Sequence, residues 1–260
     1  MARVVIVTDC RDVAFSEICG AIHKEADEIG HPITIEPIVA VENFSEFNAA
    51  FLTRLVAESY PPGTVIYTLV SKSSNMRPLH DVIWGETRTG HIFVGSNFGY
   101  FGWLARDLGI KHVYEIRDVP QKSFSGKDFI PPIVARIAAD DTASLTAHPY
   151  EESKIDDTPF VEGTVAHVDN FGNVKITTEI DELPHGQRLA LALNGTALCE
   201  AVHITNQIYL QPELGKIVAY RSTSFPDMTD IGMVRGNFAE SHGIRVGDRL
   251  TWTIESPDKD

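Results

Sequence analysis

The sequence has no long apolar run, little positive charge and few cysteines. No stretch reaches the ~18 consecutive apolar residues of a membrane-spanning helix, so no span is predicted. Lysine and arginine number 22 against 36 aspartates and glutamates, and the net charge of −14 argues against binding nucleic-acid backbones. Cys10, Cys19 and Cys199 are odd in number and lack metal or redox spacing, which fits a reduced, cytoplasmic protein.

Two common classes of ligand site are also missing. The ten histidines are scattered and form no HxxxH or HExxH pair, so no bound metal is expected. Neither GxGxxG nor GxxxxGK(S/T) occurs, which argues against a dinucleotide or nucleoside-triphosphate pocket. What is present is an acidic chain of 260 residues, long enough for one large domain or two modest ones.

The first half of the chain alternates between apolar strand-like runs and amphipathic segments. This alternation predicts an α/β domain over residues 1–140, with a mostly parallel sheet and flanking helices. The predicted strands are 4–7, 33–41, 64–70 and 113–116, with an added hairpin of 82–84 and 91–94. The predicted helices are 15–28, 47–60, 100–108 and 129–139.

The composition and periodicity of the sequence change after residue 140. Residues 141–157 are polar and without periodicity, and we interpret them as a linker. Residues 158–260 carry short alternating runs separated by turn residues, which predicts a smaller all-β domain, either a barrel or a sandwich. The predicted strands are 161–168, 174–178, 188–193, 197–204, 216–219 and 249–254.

Polar residues follow two of the predicted parallel strands. Asp9 and Asp12 follow the first strand, and a polar group follows the third: Ser71, Ser73, Ser74, Asn75 and Arg77. Ligands of open α/β sheets collect at the carboxyl ends of strands. The two aspartates can be solvated loop carboxylates, ligands of a divalent metal or holders of a diol. Two carboxylates without a third partner favour the diol or the solvated loop over the metal.

Residues 168–176 combine a carboxylate, two amides, an aromatic ring and a glycine. Asn170, Gly172 and Asn173 are typical of a strand-to-strand turn, because asparagine and glycine tolerate positive φ. A second interpretation is a turn that faces a ligand. Asp169 would accept hydrogen bonds, Phe171 would offer a flat apolar face, and Asn173 would both donate and accept.

Six blocks, in order along nearly the whole chain, resemble the S-adenosylmethionine hydroxide adenosyltransferases and the related fluorinases and chlorinases. Two lie in the first predicted strand and its loop and in the second helix: Val7-Thr8-Asp9 with Asp12, and Ala49-Ala50-Phe51-Leu52 with Tyr60-Pro61-Pro62-Gly63-Thr64-Val65. The others are Phe93-Val94-Gly95-Ser96-Asn97-Phe98-Gly99, Phe124-Ser125-Gly126-Lys127-Asp128, the 168–176 stretch, and Arg235-Gly236-Asn237-Phe238-Ala239-Glu240. Each block is weakly specific, but six in the right order are strong.

The resemblance implies an N-terminal α/β domain, a C-terminal β-barrel and a homotrimer with active sites between the N-domain of one subunit and the C-domain of the next. The implied ligand is S-adenosylmethionine, as substrate and with no further cofactor. Water or hydroxide would attack its 5′ carbon in an SN2 reaction, giving adenosine and L-methionine. A sulfonium is a good leaving group, so the enzyme chiefly has to position and desolvate the nucleophile.

The resemblance also implies roles for particular residues. Asp9 would hold the ribose hydroxyls, with Asp12 and Asn97 in the same ligand-binding set. Asp169, Phe171 and Asn173 would contact the methionine portion, with further contacts from residues 222–224. Asn237 and the backbone of Phe238 would face the adenine.

The chain departs from the family pattern at the nucleophile. The hydrolases of the family resemble one another in an Asp, an Arg and a His that orient and activate water. Arg77 matches the Arg, whereas the Asp position falls on Val70 and the His position on Ser125. Removing the carboxylate and the imidazole removes the obvious means of activating water.

Several functions are therefore open from the sequence. In the first, a divergent adenosyltransferase or hydrolase holds water, or less expectedly a halide, with Arg77 and Ser125 as catalytic residues. In the second, the protein binds S-adenosylmethionine or adenosine without turnover. In the third, the pocket serves an unrelated nucleoside or small anion, which likeness of fold never excludes.

Overall fold

A computed structural model describes residues 2–71, 81–117, 124–180, 183–225 and 227–255. The chain divides into two compact units, residues 1–158 and 159–260. No helix within these described ranges is long and apolar enough to cross a membrane.

The first unit contains strands and helices that alternate along the chain. Its strands are β1 (Ala2–Thr8), β2 (Ile33–Ile35), β3 (Val39–Ala40), β4 (Val65–Leu69), β5 (Val82–Thr87), β6 (Ile92–Ser96), β7 (Ile110–Ile116) and β8 (Ala147–Pro149). Its helices are α1 (Val13–Glu28), α2 (Glu46–Ser59), α3 (Gly102–Leu108), α4 (Ser125–Asp128) and α5 (Ile130–Ala138).

These strands form one mixed sheet in the order β2-β1-β4-β6-β5-β7-β8, with β3 also beside β1. The pairs among β1, β2, β3, β4 and β6 are parallel, whereas β5, β7 and β8 add antiparallel pairs at one side. Strand β1, an interior strand of the sheet, is buried from Val4 to Thr8, as expected of a strand covered on both faces. The predicted α/β class is confirmed for this unit, with a sheet that is mixed.

The helices begin where the sequence supplies caps. Asp12 caps α1 by accepting a hydrogen bond from Ala14 N at 3.0 Å, and Ser45 caps α2 through Asn48 N at 3.2 Å. Two prolines occupy the first turn of α5, where the missing N–H costs no helical hydrogen bond. Each of these helices therefore starts at a position that the local sequence dictates.

Part of the segment predicted as a linker, 141–157, belongs to the first sheet. Strand β8 lies within it and pairs antiparallel with β7, Tyr114 opposite Pro149 and Ile116 opposite Ala147. The strand is three residues long, too short to show a periodic pattern, and its partner lies more than 30 residues earlier in the chain. The sequence pattern therefore could not reveal it.

The second unit is built on a seven-stranded sheet in the order β15-β11-β12-β13-β14-β10-β9. The strands are β9 (Val165–Val168), β10 (Val174–Ile176), β11 (Arg188–Leu193), β12 (Thr196–His203), β13 (Ile217–Arg221), β14 (Thr229–Met233) and β15 (Leu250–Ile254), and one short helix, α6 (Phe238–His242), follows β14. Val165 N donates to Asp248 O, and Leu250 N donates to Gly163 O, both at 2.8 Å. The two outer strands of the sheet are therefore joined at these ends.

Candidate functional site

Asp9 is held rigidly at the carboxyl end of β1. Its Oδ1 accepts from the backbone N of Ser71 at 2.9 Å and from the Ser71 hydroxyl at 3.1 Å. Its Oδ2 accepts from the backbone N of Phe44 at 3.1 Å. Because β1 and β4 are adjacent parallel strands, the residues that follow them meet at one edge of the sheet. This half-buried, oriented carboxylate is suited to accept hydrogen bonds from a diol.

Phe44 is a residue of this region that the sequence reasoning missed. The residue is 57% exposed, and its backbone has φ of 60°, which is uncommon for a bulky side chain. That conformation accompanies the hydrogen bond from Phe44 N to Asp9. Strained backbone of this kind concentrates at ligand sites, so Phe44 joins the candidate ligand-facing residues. No local sequence signal marks a positive φ at a phenylalanine.

The buried Tyr100 phenol lies within electrostatic range of both Asp9 and Glu46. Burial raises the pKa of the Tyr100 phenol far above its usual range, and the charges of Glu46 and Asp9 raise it further. Burial also raises the pKa of the Glu46 carboxyl, with a further contribution from Asp156. The tyrosine is therefore a neutral group at any physiological pH, and the region has an acidic character that suits a cationic ligand.

Asp12 has a structural role in this arrangement. It is exposed and caps α1, so one of its oxygens is engaged by Ala14 N. Within the part of the chain that the structure describes, no group of three or more His, Cys, Asp or Glu side chains is placed to hold a metal ion. Asp12 is therefore a helix cap, and its place in the ligand-binding set stays a prediction.

The structure describes one of the two predicted catalytic residues. Arg77 lies outside the described residues, as do Ser73, Ser74 and Asn75. Ser125 is the first residue of α4 and is half-buried. Gly126 packs so closely on Leu69, the last residue of β4, that a Cβ would lie 2.4 Å from its Cδ1. This contact brings Ser125 to the same end of the sheet as Asp9.

The Asn97 side chain is engaged by other residues of the first unit, and its ligand-binding role stays a prediction. Its amide nitrogen donates to Lys154 O at 2.8 Å and to the Tyr150 hydroxyl at 3.1 Å, and its Oδ1 accepts from Asp156 N at 2.8 Å. The side chain is buried and fastens the segment that follows β8 to the end of β6. Both amide protons of Asn97 are therefore engaged within the protein.

In the second unit, Asp169 organises the turn between β9 and β10. Its Oδ1 accepts from the backbone N of Phe171 and of Asn173, each at 2.9 Å, and its Oδ2 accepts from Asn173 Nδ2 at 2.9 Å. This is the pattern by which Asp stabilises a turn through its own following backbone. Phe171 is left 69% exposed. The predicted turn is therefore present, with its polar side chains committed in part to holding it.

Asn237 and Phe238 lie against that turn. Asn237 caps α6 by accepting from Glu240 N at 2.8 Å, and Ala239 N donates to Gly172 O at 3.0 Å. The Phe238 ring is fully buried in the core of the unit, so its backbone is the part that a ligand can approach. The turn and the start of α6 therefore pack together. The residues predicted to contact methionine lie on the turn, and those predicted to contact adenine lie at the start of α6.

A cavity of about 670 Å³ opens beside the turn, entirely within the second unit. Asp169, Phe171 and Asn173 line it, and their contact with a ligand stays a prediction. The wall also contains Thr223, from the 222–224 stretch with implied methionine contacts, and three residues to which the sequence analysis gave no role: Lys175, Tyr220 and Asp230. The volume is in the range of sites for drug-sized ligands. A lysine between the buried Val174 and Ile176 was the signal that could have pointed to this wall.

Charged groups of this wall are buried. Lys175 Nζ lies 2.6 Å from Asp230 Oδ2, and the two side chains are 9% and 4% exposed. Burial raises the pKa of the Asp230 carboxyl above its usual value, while Lys175 and the Ser222 hydroxyl act to lower it. Burial and Lys175 lower the pKa of His167, across the strand pair, to about 4. His167 is therefore neutral at pH 7.

Solved structures share this fold over almost the whole chain. An uncharacterized conserved protein from Thermotoga maritima matches with a TM-score of 0.80 and 16% identity over 96% of this chain and 100% of that one. A conserved hypothetical protein from Thermus thermophilus matches with a TM-score of 0.69 and 17% identity over 97% and 100%. The chain is thus of the class that couples an α/β unit to a following β unit.

Sequence comparison identifies the family. Residues 4–146 match the SAM hydroxide adenosyltransferase N-terminal domain, and the chain belongs to that family. An (R)-S-adenosyl-L-methionine hydrolase from Methanocaldococcus jannaschii is 28% identical over 149 residues, 55% of this chain and 53% of the relative. The match thus spans about half the length of that relative. The family resemblance inferred from the sequence motifs is confirmed.

Proposed function

We propose that this protein binds S-adenosylmethionine and catalyses attack of water on its 5′ carbon, giving adenosine and L-methionine. The observation that carries the proposal is that residues matching the family motifs are fixed by hydrogen bonds or line a cavity, in a chain that belongs to the family. Asp9 is oriented at the end of β1, and three of the matched residues line one cavity. Processing of S-adenosylmethionine by a family relative supports the choice of ligand.

The proposed roles follow the chemistry of each group. Asp9 accepts hydrogen bonds from the ribose diol, since its carboxylate is already fixed by backbone donors. The exposed ring of Phe171 covers an apolar part of the ligand, and Asn173 offers polar contacts to the methionine portion. Asn237 and the backbone of Phe238 face the adenine. The acidic surroundings of Asp9 favour a substrate that carries a sulfonium cation.

In the proposed reaction, the water oxygen forms a bond to C5′ as the C5′–S bond breaks. The electron pair of that bond stays on sulfur and yields the methionine thioether, while the water proton passes to solvent. Arg77 and Ser125 would hold the water behind C5′, and Val70 and Ser125 stand where relatives resemble one another in Asp and His. General base catalysis contributes about 10²–10⁴-fold, so we expect turnover slower than in relatives by about that factor.

A second candidate is a protein that binds S-adenosylmethionine or adenosine without turnover. The observation that favours it is the same substitution at the nucleophile: Val70 is buried and apolar, and Ser125 offers a hydroxyl in place of an imidazole. Ligand-contact positions match the family better than these two do. The halide-using alternative is tested in the same experiment by adding chloride or fluoride.

Three finer expectations belong to the same proposal. A closed β-barrel in the second unit is supported by the bridge between Thr164 and Arg249, which lies at the meeting of its two outer strands. A homotrimer and a cytoplasmic location are expected from the resemblance and from cysteine usage. Light scattering of the purified chain tests the trimer, and a monomeric mass would contradict it.

The deciding experiment incubates purified protein with S-adenosylmethionine and separates the products by chromatography. Equal, time-dependent formation of adenosine and methionine supports the hydrolase. Saturable binding by calorimetry without adenosine above background supports the binder, and 5′-halogenated adenosine only with added halide supports the halide-using enzyme. Absence of binding contradicts all three and favours an unrelated ligand.

A further inference from the structure

Four polar side chains form a row across adjacent strands of the second unit. His167 on β9 is opposite Lys175 on β10, Lys175 is opposite Asp230 on β14, and Asp230 is opposite Tyr220 on β13. Directly paired residues of neighbouring strands project from the same face of the sheet. Three of the four, Lys175, Asp230 and Tyr220, line the cavity. The wall of this cavity is thus charged where the neighbouring sheet positions are apolar.

The Lys175–Asp230 ion pair is not explained by stability. Both side chains are more than nine-tenths buried, and removing two charges from water costs more than many ion pairs return. Well-packed apolar residues at the same positions are often as stable or more stable. A buried ion pair in a cavity wall therefore indicates a role in binding. Its lysine lies on β10 between the core residues Val174 and Ile176.

The pair also has hydrogen-bonding capacity that the protein leaves unused. Lys175 carries three ammonium protons, and the hydrogen bond observed from it within the described residues goes to Asp230 Oδ2. Asp230 Oδ1 is buried and accepts no hydrogen bond of ordinary geometry from the described part of the chain, although the Ser222 hydroxyl lies near enough to the carboxylate to lower its pKa. A buried charged group normally has its remaining positions satisfied, so a bound ligand is the natural partner.

We propose that Lys175 and Asp230 bind the α-amino-acid head of the ligand, the carboxylate at Lys175 and the ammonium at Asp230. A zwitterion beside an ion pair makes an alternating array of charges in which every charge has two opposite neighbours. Asp169, whose oxygens hold the turn, adds negative potential on the side of the ammonium. This inference rests on the proposed function for the identity of the whole ligand. It adds two residues that contact the amino-acid head of that ligand.

The test compares S-adenosylmethionine with decarboxylated S-adenosylmethionine, which lacks only the carboxylate, by calorimetry on the full chain. The wild type should bind the first at least ~10-fold more tightly, since a buried charge-assisted contact is lost with the second. The double variant Lys175→Met/Asp230→Asn should bind the two with about equal affinity. Changing both residues avoids an unpaired buried charge, and thermal unfolding verifies that the variant folds.

Lys216→Met is the matched control. Lys216 pairs with Glu213 at 3.2 Å, and neither residue lines the cavity. This variant should keep the wild-type preference for S-adenosylmethionine. An equal preference in the wild type and the double variant would overturn the inference and leave the proposed function standing.

L-methionine, as a third ligand, separates the failure of the inference from that of the proposed function. Binding of L-methionine to the wild type and not to the double variant, without binding of S-adenosylmethionine, would support the head-group site and contradict the proposed function. A wild type that binds none of the three ligands would overturn both.

Discussion

Gly172→Ala tests the contact between the turn at residues 169–173 and helix α6. Gly172 has φ of +80°, and a Cβ there would lie 1.8 Å from Asn237 Oδ1 and 3.0 Å from Asn237 Cα. The left-handed backbone costs an alanine about 1 kcal/mol. Displacing Asn237 removes a helix cap worth about 1 kcal/mol or more. We therefore expect the free energy of unfolding to fall by about 2–3 kcal/mol.

Gly195→Ala is the matched control for that variant. Gly195 has φ of +82° in the same unit, and no atom lies within 4 Å of the position of its Cβ. It should lose only the backbone contribution of about 1 kcal/mol. Urea unfolding of the full-length variants, followed by circular dichroism, measures both losses.

The ligand gives a second measurement for the same two variants. Gly172→Ala should also weaken binding of S-adenosylmethionine, because the turn holds Asp169 and Asn173 in the cavity wall. Gly195→Ala should leave that affinity at the wild-type value. Equal losses of stability in the two variants would refute the reasoning, because they would mean that Asn237 does not confine Gly172.

Three further predictions concern the first unit, the nucleophile and pH. Asp9→Asn should weaken binding of S-adenosylmethionine about 30-fold, the equivalent of ~2 kcal/mol for a charge-assisted hydrogen bond; Asp27→Asn, which changes an exposed carboxylate on α1, should bind as wild type by calorimetry. Arg77→Ala and Ser125→Ala should each lower adenosine formation at saturating substrate, and unchanged turnover would contradict their assignment. His167 has a folded-state pKa lowered to about 4, so protonation favours the unfolded chain and stability falls as pH drops from about 6.5 towards 4. Between pH 7 and 5 the loss from this group is about 2 kcal/mol, and His167→Gln should remove that part of the pH dependence in urea titrations.

Elements with a strong local signal could be predicted from the sequence. The strand at 188–193 has the predicted bounds, and the helix starting near residue 130 places its two prolines in the first turn as expected. Periodicity and proline position depend only on neighbours in sequence. The local sequence was therefore sufficient to predict these two elements.

Strand β14 was missed because it contains a charge and a glycine. Asp230 is tolerated at a buried position because Lys175, 55 residues earlier, lies 2.6 Å away. Gly232 is required because a Cβ would lie 2.2 Å from Asn173 Oδ1. Both reasons are tertiary contacts between strands distant in sequence. The cavity wall was missed with the strand, for the same cause.

The hydrogen-bond partners of Asn97 could not be predicted from its sequence motif. Its hydrogen bonds go to residues 53 to 59 positions later in the chain. Those partners lie just after strand β8, within the segment that was interpreted as a linker. A motif match identifies the residue type at a position but not which groups the fold brings to it.

The central claim is that water attacks the 5′ carbon of S-adenosylmethionine held by this chain. Incubation in ¹⁸O-water followed by mass spectrometry of the products tests it most directly. The account predicts adenosine carrying one ¹⁸O at its 5′ oxygen, together with unlabelled methionine. Methylthioadenosine with labelled homoserine, or no product alongside saturable binding, would contradict it.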